Sequence, residues 1–259
     1  MNMKILALGD VVGEKALAYL SRHLPEQRRA LGADLVIVNG ENVCDVKGIS
    51  PAAAEKLLAA GADLITTGNH VFDRRDVYEY LDSSHPLLRP LNYPAECPGE
   101  GSRVVVSADG WQVLVLNVSG CAFMEPLANP ILSVERALDS YRGKYDIAVL
   151  DIHAEATSEK LAMAYSFDGR IAAMFGTHTH VQTADEQVLP NGSGYITDLG
   201  MTGPIHSVLG VCPDSVIRKN RTHMPARFTV ADGEIRAHGA LFDIDAVAGK
   251  CKSVKRIVF

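Results

Sequence analysis

The chain has no stretch approaching the roughly 20 consecutive apolar residues that a membrane helix needs. Its first apolar run, Met1-Asn-Met-Lys-Ile-Leu-Ala-Leu-Gly9, meets Asp10 too soon for a secretory leader. These absences argue against a membrane partner and lead to the expectation of a cytoplasmic protein. Positive charge is scarce as well: 25 Lys+Arg stand against 31 Asp+Glu, a formal net charge of −6. Charge therefore invites neither duplex nucleic acid nor an anionic membrane, and a small anionic substrate needs local cations instead. Cysteines are few, odd in number and scattered (Cys44, Cys97, Cys121, Cys212, Cys251). Without a C-x-x-C spacing they read as reduced thiols rather than a disulfide framework. There is no internal repeat, low-complexity tract or linker, so one domain over residues 1–259 is the simplest organisation. What the chain does have is apolar content, 47% of 259 residues, which is ample for a large core.

Apolar runs and helix signals alternate along the first two thirds, the pattern of an α/β protein. Lys4–Leu8, Asp34–Val38, Asp63–Thr67, Tyr145–Leu150 and Ile171–Phe175 read as strands. Leu17, Leu20 and Leu24 mark a helix face that Pro25 is expected to interrupt. Ser50 offers an N-cap, Pro51 fits the first turn, Leu57 and Leu58 supply the stripe, and Gly61 ends that helix. A helix from about Arg74 to Asp82, with Val77, Tyr80 and Leu81 inward, precedes a connection punctuated by Pro86, Pro90, Pro94 and Pro98. A further helix is read from Ala156 to Ala164. Asp109-Gly110, between two apolar runs, predicts a hairpin and a second, partly antiparallel sheet. Asn191–Gly194 and Asp232-Gly233 read as hairpin turns in a strand-rich final third.

Ligand-type side chains gather where these strands end. Gly176-Thr-His-Thr-His180 places two imidazoles two residues apart, and on an extended segment both project to one face. Alone, a His-x-His pair is more often an accident than a ligand pair. Asp10, Glu41 with Asn42, Asn69 with His70, and His153 give it company, because each also follows an apolar run. Open α/β sheets place ligands outside the carboxyl ends of their strands, which is where these residues fall. A dinucleotide site at Gly9-Asp-Val-Val-Gly13 is disfavoured, since Val11 stands where the fingerprint needs glycine for close approach of a pyrophosphate. Two carboxylates, two carboxamides and three or four imidazoles, with no thiolate, suit Fe, Mn or Zn and argue against a structural zinc. The set exceeds one tetrahedral ion. Two ions sharing Glu41 would use it all, and two ions about 3.5–4 Å apart can clamp an in-line displacement at phosphorus.

Gly9-Asp10, Gly40-Glu41-Asn42, Gly68-Asn69-His70, His153 and Gly176–His180 resemble the ordered blocks of the calcineurin-like metallophosphoesterases. Asn39–Asn42, His153–Lys160, Thr177–Asp185 and Asp198–Pro204 bring the resemblance closer, to the bacterial YmdB-like subfamily, over nearly the whole chain. The wider superfamily has Asp-x-His at the first strand, whereas here Val11 and Val12 follow Asp10, and Glu41 replaces a bridging Asp.

The resemblance implies a four-layer α/β/β/α sandwich with mixed sheets and two transition metal ions, Fe first, with Mn or Zn as alternatives. One ion would take Asp10, Glu41, Asn42 and His180, the other Glu41, Asn69, His153 and His178. His70 matches the family's catalytic histidine, and Asp73 is placed to orient it; the plain alternative for His70 is a core or capping imidazole. The implied reaction is hydrolysis of 2′,3′-cyclic nucleotides, or of an RNA-terminal phosphodiester, to a 3′-nucleotide, by a homodimer or homotetramer. Two rivals remain: a metal hydrolase acting on a carbon centre, and a regulatory metal-binding protein acting through a partner surface. Asp151 and Glu155 are candidates to fix the His153 tautomer, Arg74 and Arg75 to face phosphate, and Thr202, Gly203 and His206 to bind substrate.

Overall fold

A computed structural model describes residues 2–259. β1 (Asn2–Leu8) runs almost directly into a short β2 (Asp10–Val11), followed by α1 (Gly13–Leu31), β3 (Leu35–Asn39), α2 (Pro51–Ala59) and β4 (Leu64–Thr66). A 3-10 turn (Arg75–Val77) and α3 (Tyr78–Leu81) lead through the proline-rich connection to β5 (Ser102–Val106) and β6 (Gln112–Ser119). Alternation resumes with α4 (Pro130–Ser140), β7 (Ile147–His153), α5 (Thr157–Ser166) and β8 (Ala173–Thr177). The last third holds β9 (Gln187–Val188), β10 (Gly194–Ile196), β11 (Met201–Pro204), α6 (Pro213–Thr222), β12 (Ile235–Asp245) and β13 (Lys250–Val258).

Two mixed sheets result. The first runs β2-β11-β12-β1-β3-β4 with β13 on the other edge of β12, and the second runs β5-β6-β7-β8-β10-β9. Strand alternation sorts the apolar residues. Ile5, Ala7, Leu35 and Ile37 meet Val113, Val115, Val149 and Phe175 in a core between the sheets. On the outer side of the first sheet, Leu6, Leu8, Val36 and Val38 pack with Leu17, Leu20 and Leu24 of α1 and Leu57 of α2. On the outer side of the second, Leu114, Leu116, Leu150 and Ile152 pack with Val134 and Leu138 of α4 and Met163 of α5.

Three sequence expectations change, and one helix was not foreseen. α1 does not stop at Pro25 but continues to Leu31, where Gly32 in the left-handed region (φ 63°) ends it. An interior proline costs about 3 kcal/mol. Burial of Leu24 offsets part of this, as does Arg28, which donates to Gly61 O (2.9 Å), Asp63 Oδ1 (3.0 Å) and Asp34 O (3.1 Å). The helix expected at 74–82 begins as a 3-10 turn, whose tighter winding shifts the phase. Val77 and Leu81 are buried as expected, and Tyr80 is partly buried against the same core while its ring stacks on His85 (4.1 Å between centroids). Asp232-Gly233 turns the chain without joining two neighbouring strands, because the segment before it pairs with 210–212 (Cys212 N to Thr229 O, Ala231 N to Gly210 O, each 2.9 Å). Finally, α6 has no buried residue, so no apolar stripe announces it.

Candidate metal centre

The carboxyl ends of β1, β3, β4, β7 and β8 converge, and with them all seven residues expected as ligands. They fall into two groups. In one, Asn42 Nδ2 lies 3.4 Å from Asp10 Oδ1 and 3.2 Å from His180 Nε2, with His180 Nε2 3.6 Å from Asp10 Oδ1. In the other, His153 Nε2 lies 3.1 Å from Asn69 Oδ1, 3.2 Å from His178 Nδ1 and 3.8 Å from Glu41 Oε1. Asp10 joins the groups by accepting from the backbone N–H of His178 (3.0 Å). Among the described residues no group of three or more His, Cys, Asp and Glu side chains is arranged to hold an ion by itself. The amides of Asn42 and Asn69 stand within these two groups, and a half-turn of the Asn42 amide exchanges its N and O inward.

The two histidines reach the centre by a different route from strand alternation. β8 ends at Thr177, and His178 and His180 both sit at positive φ (96° and 64°) in a tight turn. The turn is held from below by Asp198, which accepts from Thr179 N (3.1 Å), Thr179 Oγ1 (2.7 Å) and the buried Lys160 Nζ (2.8 Å). Two glycines allow the close packing. A Cβ on Gly68 would collide with the His153 ring, and one on Gly176 would collide with Thr197 O.

Each ligand-type imidazole is oriented from outside. Thr177 Oγ1 donates to Asp151 Oδ1 (2.7 Å), so it is left to accept from His153 Nδ1 (2.9 Å). His178 Nε2 faces Glu155 Oε2 (3.1 Å), and His180 Nδ1 donates to Leu209 O (3.0 Å). His153 and His180 thus direct their Nδ1 to outer acceptors and turn Nε2 inward, while His178 turns Nδ1 inward with Nε2 beside a carboxylate. Three inward-facing imidazole nitrogens, two carboxylates and two amides then face one small volume. Such a donor set fits cations of mixed O/N preference.

Burial sets the electrostatics. Desolvation pushes Glu41 well above the usual carboxylate range, although His70 N and Gly68 N donate to it. For Asp10 desolvation also acts upward, but the facing His180 and His153 and the His178 N–H outweigh it and the pKa is lowered. Burial pushes Asp151 up to about 7 against hydrogen bonds from Thr66, Thr177 and Asn39. His153 is held well below 6.5, chiefly by burial, so it stays neutral and able to ligate. His70 sits at the rim with Nδ1 2.9 Å from Asp73 Oδ2, and its pKa is lowered by burial against the pull of Asp73.

A cleft of about 310 Å³ opens over the cluster, bordered by Asn42, His70, His178 and His180 and also by Lys47, Leu209, Val211 and Phe228. Several roles expected from the sequence shift. Glu155 serves His178 rather than His153, and Asp151 reaches His153 only through Thr177. Arg74 pairs with Asp76 (2.8 Å), and Lys47 is the cation beside the cleft. Thr202 and Gly203 lie in β11, and neither they nor His206 borders the cleft. Thr177, Lys160, Asn39 and Leu209 carried no chemical signal of their own; the exception is Asp198, which follows an apolar segment as the other strand-end carboxylates do.

Two mixed sheets with carboxylate, amide and imidazole side chains at their converging strand ends define a metallophosphoesterase-like protein. The family described as YmdB-like protein matches residues 6–257, and the chain belongs to it and, with it, to the phosphodiesterase enzymes. It is 40% identical over 256 residues to a Bacillus subtilis (strain 168) protein named 2′,3′-cyclic-nucleotide 2′-phosphodiesterase, covering 99% of this chain and 97% of that one. A crystal structure of a hypothetical protein from Thermus thermophilus superposes with TM-score 0.93 at 39% identity, covering 99% of each chain. A Mycoplasma pneumoniae protein described as a novel phosphatase gives TM-score 0.93 at 34% identity, covering all of this chain and 94% of its own.

Proposed function

We propose that the protein is a dinuclear metal-dependent phosphodiesterase, built as a four-layer α/β/β/α sandwich, that opens 2′,3′-cyclic nucleotides to 3′-nucleotides. The observation that carries this reading is the orientation of His153, His178 and His180: the first and last engage outer acceptors through Nδ1, His178 sets Nε2 beside Glu155, and each turns its other nitrogen inward beside Asp10 and Glu41. The two groups of side chains suit one ion held by Asp10, Glu41, Asn42 and His180 and another held by Glu41, Asn69, His153 and His178. Fe, Mn and Zn all accept these donors, with Fe the first choice. When bound, such ions supply Lewis acidity that polarises the phosphoryl oxygen and acidifies water for attack.

The chain's own residues do the rest. Lys47 places a positive charge beside the anionic ring, in a chain whose net charge is otherwise negative. His70, with Nδ1 engaged by Asp73, keeps Nε2 for the leaving group. An oxygen from water joins phosphorus, the P–O2′ bond breaks, and O2′ takes the His70 proton. The water's proton is released as His70 is reprotonated. The relative named as a 2′,3′-cyclic-nucleotide 2′-phosphodiesterase supports the substrate and the direction of opening.

The test is metal content and turnover of 2′,3′-cAMP and 3′,5′-cAMP by the wild type, Glu41→Ala and His70→Ala. About two metals per chain, metal loss in Glu41→Ala, and turnover reduced about 10²-fold or more with metal retained in His70→Ala are expected. Unchanged turnover in His70→Ala would remove the acid step.

A further inference from the structure

The cleft lining is of two kinds. Part is polar, the ligand-type residues with His70 and Lys47. The rest is apolar, Val12 and Val46 with Leu209, Val211 and Phe228, and these last three come from one excursion of the chain that forms an apolar side. Leu209 is 46% exposed, a large apolar side chain left open to water next to a polar centre. It also sits at φ 54°, a conformation disfavoured for leucine, and its carbonyl is the acceptor that orients His180. The backbone that presents the apolar side is therefore tied to an expected metal ligand and holds a fixed distance from it.

Phe228 is brought to the same side by the pairing of the two arms of the 205–234 excursion, through the Val211–Val230 bridge and Cys212 N to Thr229 O (2.9 Å). Lys219 Nζ lies 5.0 Å from the centre of its ring. An aromatic ring and two aliphatic side chains beside a phosphate-sized polar centre form a surface for something flat and apolar attached to a phosphate.

We infer that this apolar side is the nucleobase subsite, with Phe228 as the stacking platform and Leu209 and Val211 as its floor. The assignment rests on the phosphodiesterase reading above and names the part of the substrate that reading leaves unplaced. Because Val46, Leu209, Val211 and Phe228 offer no side-chain hydrogen bonds, the subsite takes any base: stacking is tolerant of base identity. The enzyme therefore favours nucleotides over other cyclic phosphodiesters and discriminates little among the four bases.

The experiment compares wild type, Phe228→Ala and Phe228→Trp on 2′,3′-cAMP, 2′,3′-cUMP and glycerol 1,2-cyclic phosphate, which has the same five-membered ring without a base. Stacking worth about 1–3 kcal/mol per base corresponds to roughly 5- to 150-fold. In Phe228→Ala the ratio of kcat/KM for 2′,3′-cAMP over the glycerol compound falls by that factor, through KM, and Phe228→Trp restores it. Wild-type kcat/KM values for the two nucleotides agree within about tenfold, since no hydrogen bond reads the base. Binding of 3′-AMP against glycerol 2-phosphate, followed by calorimetry, gives a readout that needs no turnover. A preference for 3′-AMP that disappears in Phe228→Ala supports the subsite even if the wild type opens neither ring, in which case the reaction assignment alone fails. A substrate ratio and a 3′-AMP preference that are both indifferent to Phe228 overturn the subsite and leave the reaction assignment standing.

Discussion

At the scale of the residue, the site depends on side chains that ligate nothing. Thr177 passes the orientation of His153 to Asp151 through one hydroxyl, which accepts from Nδ1 and donates to the carboxylate. Replacing it with valine keeps the shape and removes both bonds. Outer-sphere partners of metal-ligating histidines are typically worth 10- to 100-fold in affinity, so Thr177→Val is expected to weaken metal binding by about that factor. Thr177→Ser should restore most of it, as competition with a chromogenic chelator will measure; equal affinity in all three would mean that the hydroxyl does not orient the ring. These dependencies bear on what the sequence disclosed. The seven ligand candidates and His70 were legible because few residue types do such chemistry and each followed an apolar run. Thr177, Asn39 and Thr66 were not, since a polar residue near a strand end is ordinary. Lys160 was given no role of its own within the expected 156–164 helix, yet it is buried against Asp198 under the histidine turn. His178 and His180 do reach one centre, but not as their spacing suggested: positive φ at both, rather than strand alternation, aims them inward.

At the scale of the element, strands announced themselves and irregular segments did not. Strands buried on both faces leave apolar runs that cannot be mistaken, so β1, β3, β4, β7 and β8 appeared with ends within two or three residues. α1 was misjudged at Pro25 because local propensity is a weak guide when packing and the Arg28 contacts hold the helix from outside. Pro25→Ala gives the chain an N–H for Ser21 O and removes the ring's clash. It is expected to stabilise the protein by about 1–3 kcal/mol. The urea midpoint should rise without a change in the denaturant slope, and a fall would show that the packing of α1 requires the proline. The excursion holding α6 was illegible for a different reason: its residues make their structure by pairing with each other and by bordering the cleft. A polar helix with no buried residue leaves no periodic trace.

At the scale of the whole molecule, the centre lies where the two sheets meet. Asp10, Glu41, Asn42 and Asn69 follow strands of the first sheet, while His153, His178 and His180 come from the second. Under the proposed function, ions held by both sets would cross-link the sheets in the native state only, which would link metal binding to folding. Free metal at about a thousand times its dissociation constant adds roughly 4 kcal/mol. For a chain of this length that is a shift on the order of 10 °C, so stripping with a chelator should lower the thermal midpoint by that amount and metal should return it. No helix among the described residues is long and apolar enough to cross a membrane. The decisive experiment for a dinuclear phosphodiesterase is a titration of metal into stripped protein, with conversion of 2′,3′-cAMP followed and the product identified. Activity is expected to saturate near two equivalents per chain and to yield 3′-AMP. Saturation at one equivalent, turnover without metal, or 2′-AMP as the product would contradict that assignment.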